Sequence, residues 1–298
     1  MAMIDPKGIG ARIIFRRGTA TVVPRVPARQ GWLAARYSVV SPGTELRHLL
    51  ATADEDDHAA GYMTVTDSLD GGQLLTPVPH GADAQPDDHR ALPIPPGTRP
   101  EHVAVARFQL IAALGLRRWM SDNRVSEPVV VIGGGPVALG CVLELKRRGV
   151  AQVVAVTRHP RPAAAVIPDV TMLTEPPGVA TQTFVIDCTG RPTRALAMVT
   201  PGGLLGLLGT PGDAADLSSA AVHRQGVAVV GMHELAGHSD QARRSAFETV
   251  LGWVGDTVDI DAVPRWFARF PGERAGPFYA ALAGNRRGTA PFVILEWS

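Results

Sequence analysis

The sequence of 298 residues predicts an α/β fold in which a doubly wound parallel sheet follows a smaller region of short strands. After residue 104, runs of β-branched residues alternate with helical segments, the pattern of a parallel sheet with right-handed crossovers. Before that point, apolar and polar residues alternate over a few positions between glycine and proline turns, as in half-buried strands. A glycine-rich turn also separates the first buried strand from its helix, which indicates a ligand at the end of that strand.

The first region is predicted to hold strands at residues 11–15, 20–23 and 33–40. An acidic run at residues 54–57, followed by His58, favours a solvated loop because adjacent carboxylates repel each other. The stretch before residue 100 is rich in proline and aspartate, and we interpret it as an extended connection that closes this domain.

The second region begins with a predicted helix over residues 101–120, whose apolar positions repeat with the helical period. Further helices are predicted over 136–148, which ends in a basic turn, and over 240–254. Residues 168–182 are too short and proline-broken for a crossover helix, so this half of the sheet is predicted to be abbreviated. Buried strands are expected at residues 128–133, 152–157, 183–188, 203–209, 226–231 and 292–295.

Composition narrows the class of protein. Apolar residues make up 45% of the chain and charged residues 19%, which is typical of a globular protein. The formal net charge of +1 argues against nucleic-acid binding through a broad basic surface, and no apolar stretch is long enough for a membrane span. The amino terminus lacks the apolar core of a secretory signal, so a cytoplasmic location is expected. The cysteines, Cys141 and Cys188, cannot form a four-thiolate zinc site.

The strongest motif is the glycine turn after the first buried strand of the second region. That strand leads into Gly133, Gly134 and Gly135, and a helix then starts at Pro136. Gly133 permits the tight turn, Gly135 lets the backbone approach a pyrophosphate, and Ala138 takes the third, helix-packing position. Free amides and the positive dipole at the helix start favour phosphate. The motif predicts a dinucleotide site, and a tight turn without a ligand is the alternative.

The end of the next predicted strand indicates which dinucleotide is bound. An acidic residue about 20 residues after the glycines usually holds the ribose 2′-hydroxyl of NAD. This chain has Thr157 there, followed by Arg158, with Arg161 nearby. Guanidinium groups beside a neutral hydroxyl suit a 2′-phosphate, so NADP(H) is predicted in preference to NAD(H). A solvated surface role for Arg158 is the alternative.

Spacing excludes other catalytic sites. His233 and His238 imitate a zinc-protease motif, but at that spacing they lie on different faces of a helix. The sequence contains no Gly-x-Ser-x-Gly nucleophile motif. Tyr37, Tyr62 and Tyr279 lack the lysine four residues later that short-chain dehydrogenases use.

Together these residues resemble the medium-chain dehydrogenase/reductase superfamily, which includes alcohol dehydrogenases and quinone reductases. The Ser-Pro-Gly-Thr-Glu run within residues 37–46 is similar to the stretch where zinc-dependent members carry Cys-Gly-Thr-Asp. It is closer to the Ser-x-Gly-Thr-Glu variant of bacteriochlorophyllide dehydrogenase-like members. The turn at residues 133–140 resembles the family's Gly-x-Gly-Pro-Val-Gly motif. The other similar stretches are residues 185–190, 195–209, 222–231 and 292–297.

The resemblance implies a Rossmann domain at residues 105–255 and a shortened GroES-like β domain at 1–104, to which 256–298 returns. It also implies a small-molecule substrate and a homodimer through the sheet edge at residues 227–230. At the catalytic zinc cysteine of the family this chain has Ser41 or Pro42, the next ligand is replaced, and the structural zinc lobe is missing. A site without zinc is therefore expected.

Without zinc, a hydroxyl or imidazole would have to donate a proton to the substrate. The resemblance makes Thr44 the first candidate, followed by Tyr37, Tyr62 and His48; for each, an ordinary packed or exposed residue is the alternative. Ligands bind at the ends of successive strands in open α/β sheets, so the nicotinamide is expected there. The predicted cofactor-binding residues are Gly133, Gly134, Gly135, Pro136, Val137, Thr157, Arg158, Cys188, Thr189, Gly190, Gly209 and Thr210.

The predicted function is that of a zinc-independent, NADP(H)-preferring oxidoreductase. It would transfer hydride between the nicotinamide and a carbonyl or an activated alkene of a small organic substrate, with a secondary-metabolic role by analogy. An alcohol-oxidising dehydrogenase is the alternative among enzymes. A degenerate subunit that binds the dinucleotide for a structural or non-redox role is the alternative from another class, because the glycine turn is intact while the first domain is eroded.

Overall fold

The computed structural model describes residues 11–25, 30–52, 57–117, 119, 127–159, 162–212, 216–286 and 288–297. The chain divides into two compact units. The first consists of Met1–Ala104 together with Phe267–Ser298, and the second of Val105–Trp266. The tail thus returns to the first unit at Phe267, whereas the sequence predicted this boundary at residue 256.

Strands and helices are numbered along the chain. The strands are β1 (Ala11–Arg16), β2 (Thr19–Pro24), β3 (Ala35–Val39), β4 (His58–Ala59), β5 (Thr64–Asp67), β6 (Gln73–Thr76), β7 (Leu92–Ile94), β8 (Val129–Ile132), β9 (Val153–Val156), β10 (Val170–Leu173), β11 (Gln182–Asp187), β12 (Val199–Leu207), β13 (Ala228–Gly231), β14 (Phe267–Pro271) and β15 (Phe292–Glu296). The helices are α1 (Pro42–Ala51), α2 (Pro100–Leu116), α3 (Pro136–Arg147), α4 (Pro192–Leu196), α5 (Ser219–Gln225), α6 (Asp240–Thr257) and α7 (Gly276–Ala283).

The first unit is built on β structure. Its larger sheet has the strand order β14-β15-β3-β5-β6-β7, and a smaller one has the order β2-β1-β4. Neighbouring strands are antiparallel except for β14 and β15, which pair in parallel. Side chains from both ends of the chain share one apolar core, which includes Phe15, Leu49, Tyr279 and Leu295.

Helix α1 is not among the helices predicted from the sequence, which place the first helix at residues 101–120. Its first helical residue is Pro42, a favoured position because proline has no amide to leave unpaired. Glu45 lies in the first turn, where the helix dipole favours an acidic side chain. These helix-favouring residues outweigh the low helix propensity of Gly43, which follows the proline.

The second unit contains a six-stranded sheet with the order β10-β9-β8-β11-β12-β13, and every neighbouring pair is parallel. This is the doubly wound order, in which the chain starts in the middle and reverses direction between β8 and β11. The α/β fold class predicted from the sequence is therefore confirmed. The abbreviated segment contains β10, a strand that the sequence analysis missed, and residues 167–181 contain no helix.

Within the described part of the chain, no helix has both the length and the apolar character needed to cross a membrane.

Candidate functional site

The glycine turn lies where the strand order of the parallel sheet reverses. β8 is buried along its whole length and leads into Gly133, whose φ of 138° is a conformation that side chains rarely adopt. α3 begins at Pro136 after the N-cap residue Gly135, and no described side chain caps its start. The first amides of α3 and the positive end of its dipole can therefore serve an anionic ligand.

The space around the three glycines differs from one to the next. A Cβ added at Gly135 would meet no atom within 4 Å. At Gly134 it would collide with the Thr157 hydroxyl, and at Gly133 it would lie 3.1 Å from the Ala138 Cβ. The protein's own packing therefore requires glycine at 133 and 134, whereas Gly135 leaves the room that a pyrophosphate needs.

A small pocket is lined by this turn, the end of β9 and residues 162–164. Thr157 follows β9, and its hydroxyl accepts a hydrogen bond from the His159 amide at 3.1 Å. Arg158 is exposed, and the described residues that directly follow β9 include no carboxylate. Arg161 lies outside the described residues. The rest of the pocket lining is apolar and consists of Ala138, Leu139, Val142, Ala155 and Met172, together with the glycines.

The carboxyl ends of β11 and β12 are joined by close backbone packing. Asp187 ends β11 almost fully buried, and its Oδ1 accepts hydrogen bonds from the Thr189 amide at 2.8 Å and the Thr189 hydroxyl at 2.6 Å. Gly209 donates its amide to the Asp187 carbonyl oxygen at 2.8 Å. Gly190 has a φ of 72°, and a Cβ there would collide with the Thr210 carbonyl oxygen. The sequence analysis missed Asp187, although an acid that ends an apolar strand was a usable signal.

Cys188 lies beside the glycine turn, since its Cβ is 3.3 Å from where a Cβ of Gly133 would be. Its side chain is half-buried, whereas Cys141 in α3 is buried. A thiol–thiol hydrogen bond with Cys141, together with burial, raises the pKa of Cys188 well above its usual value. A thiol that stays protonated is suited to lining a pocket and not to nucleophilic attack.

The residues of the second unit fit a dinucleotide. The turn offers backbone amides beside an open space at Gly135, and the end of β9 next to it is lined mainly by apolar side chains. The ends of β8 and β11 meet at the switch point, where open α/β sheets bind ligands.

The candidates for proton transfer belong to the first unit. Thr44 and His48 are half-buried and lie one turn apart on α1, so their side chains are neighbours on one face. Tyr62, after β4, is also half-buried. Tyr37 in β3 is 5% exposed, and its hydroxyl has no hydrogen-bond partner among the described residues. Burial and the nearby Glu101 raise the pKa of Tyr37, which keeps its phenol neutral.

A buried polar network surrounds Glu45, the neighbour of Thr44 on α1. Glu45 Oε1 accepts the Ser41 amide at 2.6 Å, and Oε2 accepts the Tyr279 hydroxyl at 2.5 Å. His80 Nε2 lies 3.1 Å from the same Oε2. Burial alone would raise the pKa of Glu45, but His80 and the two donors outweigh it and lower that pKa. The carboxylate is therefore ionised inside the protein.

The network continues from His80 to the last strand of the chain. His80 Nδ1 lies 2.8 Å from the Ser38 hydroxyl, which also accepts the indole N–H of Trp297 at 2.9 Å. Gly61 makes room for the imidazole, because a Cβ there would collide with the ring. No local pattern reveals this cluster, since its members are distant in sequence.

The residues that the sequence resemblance places near the zinc-ligand positions do not fit a catalytic zinc ion. Ser41 is buried and Tyr62 is half-buried, and both carry hydroxyl groups. Over the described residues, no group of three or more His, Cys, Asp or Glu side chains could hold a metal ion. Hydroxyl oxygens are not the ligands that zinc prefers, so no zinc chemistry is derived from this site.

Comparison with solved structures defines the fold. Galactitol-1-phosphate dehydrogenase from Escherichia coli is similar to this chain with a TM-score of 0.74 at 15% identity, over 96% of this chain and 99% of that one. Acetophenone reductase from Geotrichum candidum, solved with NAD, gives a TM-score of 0.74 at 15% identity, over 99% of this chain and 98% of that one. The chain has the fold of the medium-chain dehydrogenases and reductases.

The same fold occurs in a third enzyme, an alcohol dehydrogenase from a Thermus species, with a TM-score of 0.72 at 16% identity over 96% of this chain and 99% of that one. No protein-family model matches the sequence, and neither does any curated protein. The resemblance that the short motifs predicted, which includes a Rossmann domain and a GroES-like β domain, is thus confirmed at the level of the fold.

Proposed function

We propose that this protein is an NADP(H)-preferring oxidoreductase that works without zinc. It transfers hydride between nicotinamide C4 and a carbonyl or an activated alkene of a small organic substrate. The observation that carries the proposal is the glycine turn at the switch point of the parallel sheet, with open space over Gly135 and close packing at Gly134. The bound cofactor supplies the hydride chemistry, while the chain binds and orients it.

The residues that hold the cofactor follow from the elements that end at this edge of the sheet. The amides of Gly134, Gly135 and Val137 bind the pyrophosphate at the start of α3, since Gly133 donates its amide to the Val156 carbonyl oxygen at 2.9 Å and Pro136 has no amide hydrogen. Cys188, Thr189 and Gly190 line the nicotinamide pocket after β11, and residues 209–210 line it after β12. Asp187 acts through Thr189 as a positioning residue, since it accepts hydrogen bonds from both the amide and the hydroxyl.

The preference for NADP(H) is supported by the residues at the end of β9. Thr157 leaves a neutral hydroxyl where NAD-dependent proteins usually have a carboxylate. Arg158 is exposed beside it and can reach a 2′-phosphate with a charge-assisted hydrogen bond.

Proton transfer is assigned to Thr44, with His48 one turn further along α1 as the group that exchanges the proton with solvent. The half-buried position of both side chains supports this order. Tyr62 is the next candidate. Tyr37 ranks last because its phenol is buried and its raised pKa opposes ionisation.

We further propose a cytoplasmic homodimer in which β13 pairs with its copy. β13 is an edge strand of the parallel sheet, and Val229 and Val230 are half-buried. An unpaired edge strand offers amides and carbonyls to a second chain. Light scattering of the purified protein checks the assembly, and a monomer at all concentrations would contradict it.

The experiment that tests the proposed function is a titration with NADPH and NADH, followed by nicotinamide fluorescence. NADPH should bind at least tenfold tighter than NADH, which corresponds to about 1.4 kcal/mol. Arg158→Ala should lose this preference, whereas Arg194→Ala, a matched exposed arginine on α4, should keep it. The protein must first be freed of nucleotide carried through purification.

Two results would contradict the proposal. If neither nucleotide binds, the glycine turn is a structural turn and the oxidoreductase function is wrong. If NADPH binds but a broad set of carbonyls and enones leaves it unoxidised, and alcohols do not reduce NADP, a structural or non-redox role for the nucleotide replaces the proposal.

A further inference from the structure

We infer that Trp266 is a positioning residue of the nucleotide site, because it holds one wall of the small pocket beside the glycine turn. Its indole N–H donates a hydrogen bond to the Ala163 carbonyl oxygen at 3.1 Å, across 103 positions of the sequence. Both residues belong to the second unit. The inference rests on the proposed function, since it names the residue that fixes the part of that site after β9.

The wall segment, residues 162–164, lines the same pocket as the glycine turn. Ala163 lies there with Gly134, Gly135 and Thr157. In a doubly wound sheet the end of the strand next to the glycine strand contacts the adenosine ribose of a dinucleotide. Here that strand is β9, which pairs with β8 and precedes the wall segment. A dinucleotide with its pyrophosphate at the turn therefore has its adenosine half beside the wall segment.

The wall segment has few large side chains of its own to fix its position. It consists of a proline and two alanines, which bury little apolar surface. It leads into a four-residue 3₁₀ turn, Ala163–Val166, whose last side chain is 62% exposed. A hydrogen bond to the main chain can hold such a segment without help from its side chains. The Trp266 indole supplies that bond.

Trp266 is itself firmly placed. Its side chain is 4% exposed, and its amide donates to the Val263 carbonyl oxygen at 2.9 Å. Similar bonds join the Ala262 amide to Asp259 and the Val263 amide to Ile260, so successive turns lead to this tryptophan from the end of α6. The ring supplies packing and its N–H supplies one directional donor. Replacing the ring by phenyl therefore removes the positioning contact and keeps an aromatic side chain in the core.

The test compares Trp266→Phe with the unaltered chain in calorimetric titrations. The ligands are NADPH, adenosine 2′,5′-bisphosphate, which carries only the adenosine half, and nicotinamide mononucleotide, which lacks that half. Trp266→Phe should bind NADPH and the bisphosphate about three- to tenfold more weakly, the range for one neutral hydrogen bond. The mononucleotide should bind with unchanged affinity. Trp253→Phe alters a half-buried tryptophan on α6 and is the matched control, which should bind all three ligands normally.

A second measurement uses the unaltered chain, so it does not depend on the folding of a variant. The amides of Ala165 and Ile167 donate to carbonyl oxygens of the wall segment, at 3.1 Å each. Amide hydrogen exchange is followed with and without adenosine 2′,5′-bisphosphate. We expect the bisphosphate to slow exchange at these two amides and, through the indole contact, at the amide of Trp266.

Three results would overturn the inference. The first is a folded Trp266→Phe variant, as judged by thermal unfolding, that binds NADPH and the bisphosphate normally; this result leaves the proposed function intact. The second is an equal loss of affinity for all three ligands, which would mean a general structural effect. The third is slower exchange at Ala165 and Ile167 without any change at Trp266. If the unaltered chain binds none of the ligands, the proposed function fails, and this inference fails with it.

Discussion

His80 and Glu45 form a fully buried pair, with Nε2 of the imidazole 3.1 Å from Oε2 of the carboxylate. A carboxylate loses its hydration inside a protein, and it is stable there only where hydrogen bonds replace the lost water. Here the Ser41 amide and the Tyr279 hydroxyl supply those bonds. Tyr279 lies on α7 and Glu45 on α1. Their hydrogen bond therefore connects the amino-terminal and carboxy-terminal parts of the first unit.

The first prediction concerns acid stability. The folded-state pKa of Glu45 is lowered, so its ionisation stabilises the folded protein above the unfolded-state pKa of about 4.3, and this contribution is lost as the pH falls through the folded-state pKa. Glu45→Gln should lower the free energy of unfolding at neutral pH by about 3–5 kcal/mol, because it breaks a buried pair. It should also flatten the decline of stability below pH about 4.3. Urea unfolding between acid and neutral pH, followed by circular dichroism, measures both effects.

The control for this series is Glu248→Gln, which removes an exposed carboxylate from α6. Its unfolding free energy should remain within about 0.5 kcal/mol of the unaltered chain at every pH. If Glu45→Gln parallels the control at all pH values, the buried carboxylate does not determine the acid stability of the first unit.

The second prediction separates the ligand role of the glycine turn from its packing role. Gly135→Ala should leave the free energy of unfolding within about 0.5 kcal/mol, because the added Cβ meets no atom within 4 Å and the φ of −88° is ordinary. It should nevertheless weaken NADPH binding at least tenfold, since the Cβ enters the space of the pyrophosphate. Gly134→Ala should lose about 1–3 kcal/mol of stability through its clash with Thr157. Thermal unfolding and fluorescence titration provide the two readouts.

A different result for Gly135→Ala would contradict the assignment of Gly135 to the pyrophosphate site. A Gly135→Ala variant that binds NADPH normally would mean that no phosphate approaches the turn. Gly252→Ala, at an α6 position where a Cβ also meets no atom within 4 Å, serves as the matched control and should change neither binding nor the fold.

The parts of the fold that sequence patterns predicted are those encoded by consecutive residues. The buried strand β8 and the glycines that follow it form one short segment, so each residue type indicates its own local conformation. The parallel order around β8 then follows from alternation of strands and helices. Strand β10 escaped detection because its edge position leaves it half-buried, without the apolar run of the central strands.

The Glu45 network was beyond sequence reasoning for a different physical reason. Its hydrogen bonds join Glu45 to His80 and Tyr279, which are separated by 35 and 234 positions. Only packing of α7 and the loop after β6 against α1 brings these side chains together. The sequence does not distinguish a buried histidine from an exposed one. Only the burial of His80 makes it a member of this hydrogen-bond network.

The third prediction concerns a second buried ion pair, in the second unit. Arg107 donates from both terminal nitrogens to Glu234, each at 2.8 Å, and both side chains are largely buried. Arg107→Met or Glu234→Met alone should cost about 3–5 kcal/mol, because the charge that remains loses the two hydrogen bonds of the buried pair. The double variant should cost less than either single one, since a buried pair can be replaced by apolar side chains. A double-mutant cycle by urea unfolding measures the coupling, and strict additivity would contradict a direct pair.

The fourth prediction tests the proposed proton donor, once a substrate turns over. Thr44→Val removes the hydroxyl and keeps the shape, so kcat should fall by a factor of about 10²–10⁴, the range for a positioned acid. NADPH binding should be unchanged, because Thr44 belongs to the first unit and the glycine turn to the second. Thr44→Ser should restore most of the rate, and Thr249→Val, which alters an exposed threonine on α6, should have no effect. A Thr44→Val enzyme with normal kcat would transfer the role to Tyr62, the other half-buried hydroxyl among the candidates.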